Sequence, residues 1–420
     1  MGGAATERSA ATRARGRRSR WAAVHRWLGL TAGALLVLIG LTGSLLVFHL
    51  EIDEWLNPEL LRVTPLPGGE ARYLPFDELE QAARRALPPG GRITFAQYPR
   101  NDEVALRFNA LVPPPAPPDA PPRHLSASDQ AQYHIGVNPY TGAITGVRLA
   151  RPAGWAGAIP RTFVGCIFAL HYALLLPRFG KPPFGDTVVA ILGLLLIGSV
   201  VAGTVLWWPR RGQWKQALTV KYPAHPRRLH FDLHKTIGIS YFVILVAVFL
   251  SGVYLNLRAP FHSVVRLFSP TVDRYEVQSP PMPNGVTMTM GEVLREVREQ
   301  FPTGRPEWVY FPRKGTGTYT VCQRDVPDIS AVLTRRCIVF DQYRGHVLHV
   351  QSPERATAGE HFIQWQWPIH SGQMFGEPGR WIVFVSGLVC PLLFVTGTYL
   401  WWRKRRPRPS GLDGGVSRAG

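Results

Sequence analysis

The sequence predicts an α-helical membrane protein with four transmembrane helices, laid out as two span–module–span repeats that each enclose a small α+β module. Three observations carry that prediction. Residues 28–50, 187–208, 236–257 and 381–402 contain no Asp, Glu, Lys or Arg. Each stretch is about 22 residues, and roughly 20 suffice to cross the hydrocarbon core. The opening of the first stretch, His25-Arg26-Trp27-Leu28-Gly29-Leu30, returns as His234-Lys235-Thr236-Ile237-Gly238-Ile239 at the opening of the third. Finally, the cations cluster at span ends that fall on a single side of the membrane.

The formal net charge is +19. Arginines 8, 13, 15, 17, 18 and 20 precede the first span; Arg210, Arg211, Lys215, Lys221, Arg227, Arg228 and Lys235 lie between the second and third; Arg403, Lys404, Arg405, Arg406 and Arg408 follow the fourth. With four spans these segments share one side, which the positive-inside rule makes cytoplasmic. Both termini are then inside and the long loops outside. The charge reads as topology, and no nucleic-acid partner is expected. The first span continues into Phe48-His49-Leu50-Glu51 with no small-residue cleavage site, so it reads as an uncleaved anchor.

In order, residues 1–20 are Arg-, Ala- and Ser-rich and read as a disordered basic N-terminus. Transmembrane helix 1 covers 21–50, and the first outer module covers 51–160. Within it a helix is expected over 76–87 with an Asp-x-x-Glu start, then strands over 92–97, 103–108, 133–137 and 143–149. A proline stretch at 112–118 interrupts them as an extended loop. Residues 161–177 form an apolar piece too short to span, placed as an interfacial helix. Span 2 (187–208), a cytoplasmic basic loop (209–235) and span 3 (236–257) follow.

The second outer module, 258–378, repeats the order of the first: a Thr289-x-x-Glu292 capping box opens a helix over 291–301, followed by strands at 308–312, 319–323, 337–340 and 346–351. Tyr140 and Gly142 match Tyr343 and Gly345 at one offset of 203 positions (343 − 140 and 345 − 142). Span 4 covers 379–402 and a cytoplasmic tail 403–420. Its end, Thr396-Gly397-Thr398-Tyr399-Leu400-Trp401-Trp402, repeats the Ala202-Gly203-Thr204-Val205-Leu206-Trp207-Trp208 of span 2. The tryptophan pairs beside basic residues read as interfacial anchors. Cys166 and Cys390 lie in apolar segments as packing residues. Cys322 and Cys337 lie on paired strands outside, where oxidising conditions permit either a disulfide or free thiols.

Among the thirteen histidines, four occupy matched positions. His25 and His234 begin spans 1 and 3 inside; His171 and His370 precede spans 2 and 4 outside. His25 stands 18 positions before Gly43 (43 − 25), and His234 stands 18 before Gly252 (252 − 234). At 100° per residue that spacing places histidine and glycine on one helix face. Glycine admits a close neighbour, and imidazole is an axial ligand for haem iron. A span is about 33 Å long, so one haem cannot bridge inner and outer histidines. The expected pairs are His25 with His234 and His171 with His370, ligating two haems. Arg26 and Lys235 inside, and Arg161 and Arg380 outside, are candidates for haem propionates or simply for headgroups. His230 competes with His234 as ligand but has no counterpart in the first half; His361 is a weaker rival to His370.

The opening at 25–30 with Leu41-Thr42-Gly43-Ser44, the segment 227–238, the two span ends and the Asn138-Pro139-Tyr140-Thr141-Gly142 turn together resemble the PepSY-associated transmembrane (PepSY_TM) family, over about 21–406. The family includes inner-membrane ferric-siderophore reductases with two b-type haems and periplasmic PepSY modules. The resemblance therefore implies haem b held by His25, His234, His171 and His370, a bacterial cytoplasmic (inner) membrane location, and two PepSY-like modules outside. The reaction it implies is reduction of a periplasmic ferric chelate, near Trp365, Trp367 and Met374, for iron release. No nucleotide or flavin fingerprint is present, so the donor is external: quinol or a cytoplasmic reductase. The alternatives are a non-enzymatic PepSY regulator or binding protein, and a haem conduit serving a partner protein.

Overall fold

The computed structural model describes residues 2–115, 125–177, 182–282, 284–313, 315–326 and 335–405. Part of the proline stretch and the tail beyond Arg405 lie outside the described residues.

Helix α1 covers Gly2–Val47. It begins ahead of the apolar span, in an Ala- and Arg-rich stretch of strong helix formers. Helix α2 (His49–Leu56) follows. Helix α3 (Phe76–Arg85) and strands β1 (Arg92–Gln97), β2 (Leu106–Val112), β3 (Ala131–Val137) and β4 (Ile144–Arg151) form the first module. The short apolar helix α4 spans Phe163–Ala173, and α5 spans Phe184–Trp207. Beyond the basic loop come α6 (Pro226–Ser240), α7 (Phe242–Asn256) and α8 (Arg258–Val265). The second module holds α9 (Met290–Gln300), β5 (Arg305–Tyr310), β6 (Thr318–Arg324), β7 (Arg336–Asp341) and β8 (Val347–Gln351). Helices α10 (Ala358–Ser371) and α11 (Gly376–Arg405) close the described chain.

Among the described residues three helical segments are long and apolar enough to cross a membrane: Arg18–Val47, Phe184–Trp207 and Gln373–Arg405. The third expected span is not one straight helix. Helices α6 and α7 meet at a 61° bend, and they make a fourth crossing only when taken together. Gly238 and Ser240 lie just before the break, the small-residue setting in which helices kink. The ladder is still partly kept, since Tyr241 N–H donates to the Ile237 carbonyl at 3.0 Å.

The chain divides into two compact units. One gathers Met1–Val37, Leu195–Val246 and Leu388–Gly420, and so holds the basic segments and the helix portions beside them. The other gathers Leu38–Leu194 and Ala247–Gly387, with the strands and the remaining helix portions.

Within the second unit the two modules do not stand apart as the sequence suggested. Their strands join into one antiparallel sheet of eight in the order β4-β3-β2-β1-β5-β6-β7-β8. The seam is β1 against β5, with Phe95 opposite Tyr310, Ala96 opposite Val309 and Gln97 opposite Trp308. Each first strand would otherwise present an open edge of unpaired backbone groups, and the seam removes both edges. Helices α3 and α9 cover one face. Phe76, Leu79, Met290, Val293 and Val297 bury against Phe108, Ile135, Val309, Val321 and Phe340.

The helices are also joined at their starts. Helix α9 carries the expected Thr289–Glu292 capping box. Helix α3 does not use Asp77 for itself: Pro75 is its N-cap and makes no side-chain cap. Asp77 instead accepts from the Gly291 N–H at 2.9 Å, capping the helix of the other module. Across the sheet from these helices, Asp53 of α2 takes both Arg107 (3.3 Å) and Arg148 (2.8 Å), and Glu54 takes Arg100 (2.7 Å). Half-buried His134 accepts from Arg148 at 3.3 Å. Burial, and then the positive charges of Arg107 and Arg148, hold its pKa well below the usual histidine value. The cysteines left open by the sequence are bonded: Cys322 and Cys337 are directly opposed on β6 and β7, with S–S 2.01 Å.

Candidate functional site

Each unit contains one pair of facing imidazoles. In the first, His25 of α1 and His234 of α6 have ring centroids 6.0 Å apart with planes at 74°. In the second, His171 of α4 and His370 of α10 have centroids 5.9 Å apart at 61°. The structure therefore brings together the histidines that the duplication matched, in the combinations it suggested. His230 is elsewhere: it stacks on Tyr399 at 4.1 Å, and its Nδ1 engages the Pro226 carbonyl at 2.8 Å.

Helix interiors position these rings in a repeated way. Nδ1 of His25 is 2.9 Å from the Ser199 carbonyl, that of His171 is 2.9 Å from the Ile39 carbonyl, and that of His370 is 3.1 Å from the Val248 carbonyl. A carbonyl only accepts, so in these three rings Nδ1 carries the proton and Nε2 keeps its lone pair. His234 reaches Thr396 Oγ1 at 2.9 Å. That hydroxyl gives its proton to the Leu392 carbonyl (2.8 Å), so His234 Nδ1 is again the donor. Further hydroxyls sit beside the other rings: Thr42 beside His171 (3.3 Å), Ser251 beside His370 (3.0 Å) and Ser199 beside His25 (3.4 Å).

The glycines serve these rings rather than a flat ligand lying along their own helix. A Cβ on Gly203 would meet His25 at 2.9 Å, on Gly43 His171 at 2.8 Å, on Gly252 His370 at 3.2 Å and on Gly397 His234 at 3.1 Å. Each imidazole is thus seated over a glycine on another helix of the same repeat. The three carbonyl acceptors lie four residues before those glycines: Ser199 before Gly203, Ile39 before Gly43 and Val248 before Gly252. This seat was missed in the sequence, although its signal was visible. Thr42-Gly43, Ser251-Gly252 and Thr396-Gly397 are hydroxyl–glycine pairs; Ala202-Gly203 departs, and there Ser199 supplies both carbonyl and hydroxyl. Helix α10, which carries His370, was missed as well. Its signal is a Thr357–Glu360 capping box, which forms.

The cations separate. Arg26 and Arg161 are exposed. Lys235 is not free for a ligand, since it pairs with buried Asp232 at 2.9 Å and donates to the Gln216 carbonyl at 2.6 Å. Arg380 is held by Glu51 (2.8 Å), Glu377 (2.6 Å) and the Val47 carbonyl (3.0 Å). Among the described residues no group of three or more His, Cys, Asp or Glu forms a metal cage. Chemically, each site offers two neighbouring imidazoles whose Nδ1 atoms are engaged and whose Nε2 atoms keep their lone pairs. Close in sequence to these rings and their seats, three buried donors have no partner among the described residues: Thr236, next but one to His234; Thr398, next to Gly397; and Trp367 Nε1, three residues before His370.

The family model described as the PepSY-associated TM region matches residues 22–404. No curated protein matches the sequence.

Proposed function

The chain belongs to the family of PepSY-associated transmembrane regions, and on that premise we propose that it is a dihaem b-type reductase of the bacterial cytoplasmic membrane that delivers electrons to a periplasmic ferric chelate, such as a siderophore. In this reading the bent α6–α7 pair is the third of four spans, both termini are cytoplasmic, and the eight-stranded sheet stands in the periplasm. His25 with His234, and His171 with His370, would each hold one haem.

The observation that carries the reading is the spacing of the two pairs. An imidazole nitrogen sits about 2 Å from a first-row metal. A five-membered ring with bonds near 1.33 Å puts its centre about 1.1 Å behind that nitrogen. Two such rings on one metal are therefore separated by about 6 Å, which fits centroid distances of 6.0 and 5.9 Å. Two imidazoles alone would not complete the coordination of iron, so a metal that arrives with its own macrocycle, as in haem, would fit each pair. The Nδ1 hydrogen bonds fix the tautomer and leave each Nε2 with its lone pair, the usual outer support of a ligating histidine. The unpartnered Thr236, Thr398 and Trp367 donors are available to polar groups of whatever is bound beside them. Haem b held by two histidines would supply one-electron carriage, a task that bis-histidine ligation suits better than oxygen binding.

Detergent-purified protein from haem-supplied cells tests the cofactor directly. Its reduced spectrum should be that of a six-coordinate b-type haem, with two equivalents per chain by pyridine haemochrome; colourless protein would overturn the assignment. Dithionite-reduced protein mixed anaerobically with a ferric hydroxamate then tests the reaction. Reoxidation with release of iron(II) to a ferrous chelator is expected, and persistence of the reduced spectrum would refute the reductase reading.

A further inference from the structure

Within the first unit, the start of α6 and the end of α11 enclose a cleft of about 440 Å³ lined by His225, Arg227, Arg228, Phe231, Leu400 and Lys404. Its charge is unbalanced for a reason visible in the sequence. Residues 209–235 contain seven cations and a single acid, Asp232. That carboxylate is fully buried and already committed, to Arg228 at 2.8 Å and Lys235 at 2.9 Å. Among the described residues no carboxylate pairs with Arg227 or Lys404. The cleft also lies at the N-terminus of a helix of 15 residues, where backbone N–H groups add partial positive charge. An anion is the complement.

The remaining wall says what kind of anion. Phe231 is half exposed, and Leu400 of α11 lines the cleft beside it, so part of the wall is apolar. A soluble phosphate compound would leave that surface bare, whereas an amphiphile covers it while its head neutralises the cations. Basic pockets between helix ends on the cytoplasmic side are where anionic headgroups bind. We infer that this cleft is a binding site for an anionic phospholipid, with Arg227 and Lys404 on the phosphate and Phe231 and Leu400 flanking the first methylenes of the chains.

The test is native mass spectrometry of the full chain in detergent, titrated with phosphatidylglycerol, phosphatidylcholine or inorganic phosphate. Wild-type protein should retain phosphatidylglycerol, and neither of the other probes. Each cation near an anionic lipid contributes about a factor of five, so the exposed-site double variant Arg227→Gln/Lys404→Gln should bind phosphatidylglycerol about 30-fold more weakly. A charge-matched control, Arg211→Gln/Lys215→Gln, removes two cations outside the cleft and should bind as wild type. Unchanged binding in the cleft variant, or an equal loss in the control, would overturn the site. So would retention of inorganic phosphate in competition with the lipid, which would make the cleft a small-anion pocket. Circular dichroism and thermal midpoints of both variants report whether folding is preserved.

Discussion

The imidazole of His171 fills the place a side chain on Gly43 would take: a Cβ there would stand 2.8 Å from its Cε1. The ring cannot swing aside cheaply, because Nδ1 is tied to the Ile39 carbonyl at 2.9 Å. Overpacking a tight contact costs about 1–3 kcal/mol. Gly43→Ala, and Gly203→Ala against His25 (2.9 Å), should therefore lower the thermal midpoint and reduce haem retained through purification. Gly252→Ala and Gly397→Ala, at 3.2 and 3.1 Å, should do so less. Haem-to-protein ratios across the four variants check the ordering.

The two imidazole pairs belong to different units, so their losses should be separable. His25→Ala and His234→Ala should each remove the same spectral component, and His171→Ala and His370→Ala the other. The double variant His25→Ala/His234→Ala should look like either single. Potentiometric titration of the reduced band resolves the components; a single variant that bleaches both, or His230→Ala behaving like His234→Ala, would contradict the pairing.

That pairing was legible in the sequence because its two halves repeat, and His171 and His370 stand at matched positions in them. The seats of the rings were harder to read. Glycine at 18 positions from histidine marked the right face of each helix, but only packing shows that the occupant of that face is a histidine from another helix. The joined sheet was not legible either. The pattern of β1 and β5 states which face is apolar and says nothing of which strand lies alongside. The bend at Tyr241 was hidden by hydropathy, which is continuous through it.

Asp77 reads locally as the start of its own helix, yet it caps α9. Loss of an N-terminal cap costs about 1 kcal/mol. Asp77→Ala should therefore destabilise by about that amount although its own helix loses no cap. Thr289→Ala removes the bond from the Glu292 N–H at 3.1 Å, but Thr289 Oγ1 also donates to Asp77 at 3.5 Å, so the shared bond is lost in either variant and the double variant should lose less than the sum. Denaturant midpoints of the single and double variants measure this; no effect of Asp77→Ala would show that the cap is energetically idle.

The Cys322–Cys337 bond closes a stretch of 15 residues. A loop of that length restricts the unfolded chain by about 3 kcal/mol. Cys322→Ser/Cys337→Ser should accordingly lower the thermal midpoint, and wild-type protein under reducing conditions should fall to meet it. Because the bond is in the sheet, the haem spectrum at moderate temperature should be unchanged in the variant.

His134 gives the fold a pH dependence whose sign follows from its surroundings. Loss of water around the half-buried imidazole, and then the nearby charges of Arg107 and Arg148, hold its folded pKa well below the ordinary value of 6.5. Between those two values the unfolded chain binds a proton that the folded chain refuses. Stability then rises with pH through that window. The contribution is complete above about pH 6.5, is lost progressively as pH falls beneath it, and stops changing once the folded group titrates. Asp53 does not reverse this, because its carboxylate is shared between Arg107 and Arg148 at 3.3 and 2.8 Å. Thermal midpoints should fall between pH 7.5 and pH 5.5, roughly the interval over which an ordinary histidine protonates. In His134→Gln, whose neutral amide can still accept from Arg148, that part of the fall should vanish while stability at pH 7.5 changes little. An identical pH profile in the variant would assign the acid sensitivity to other groups.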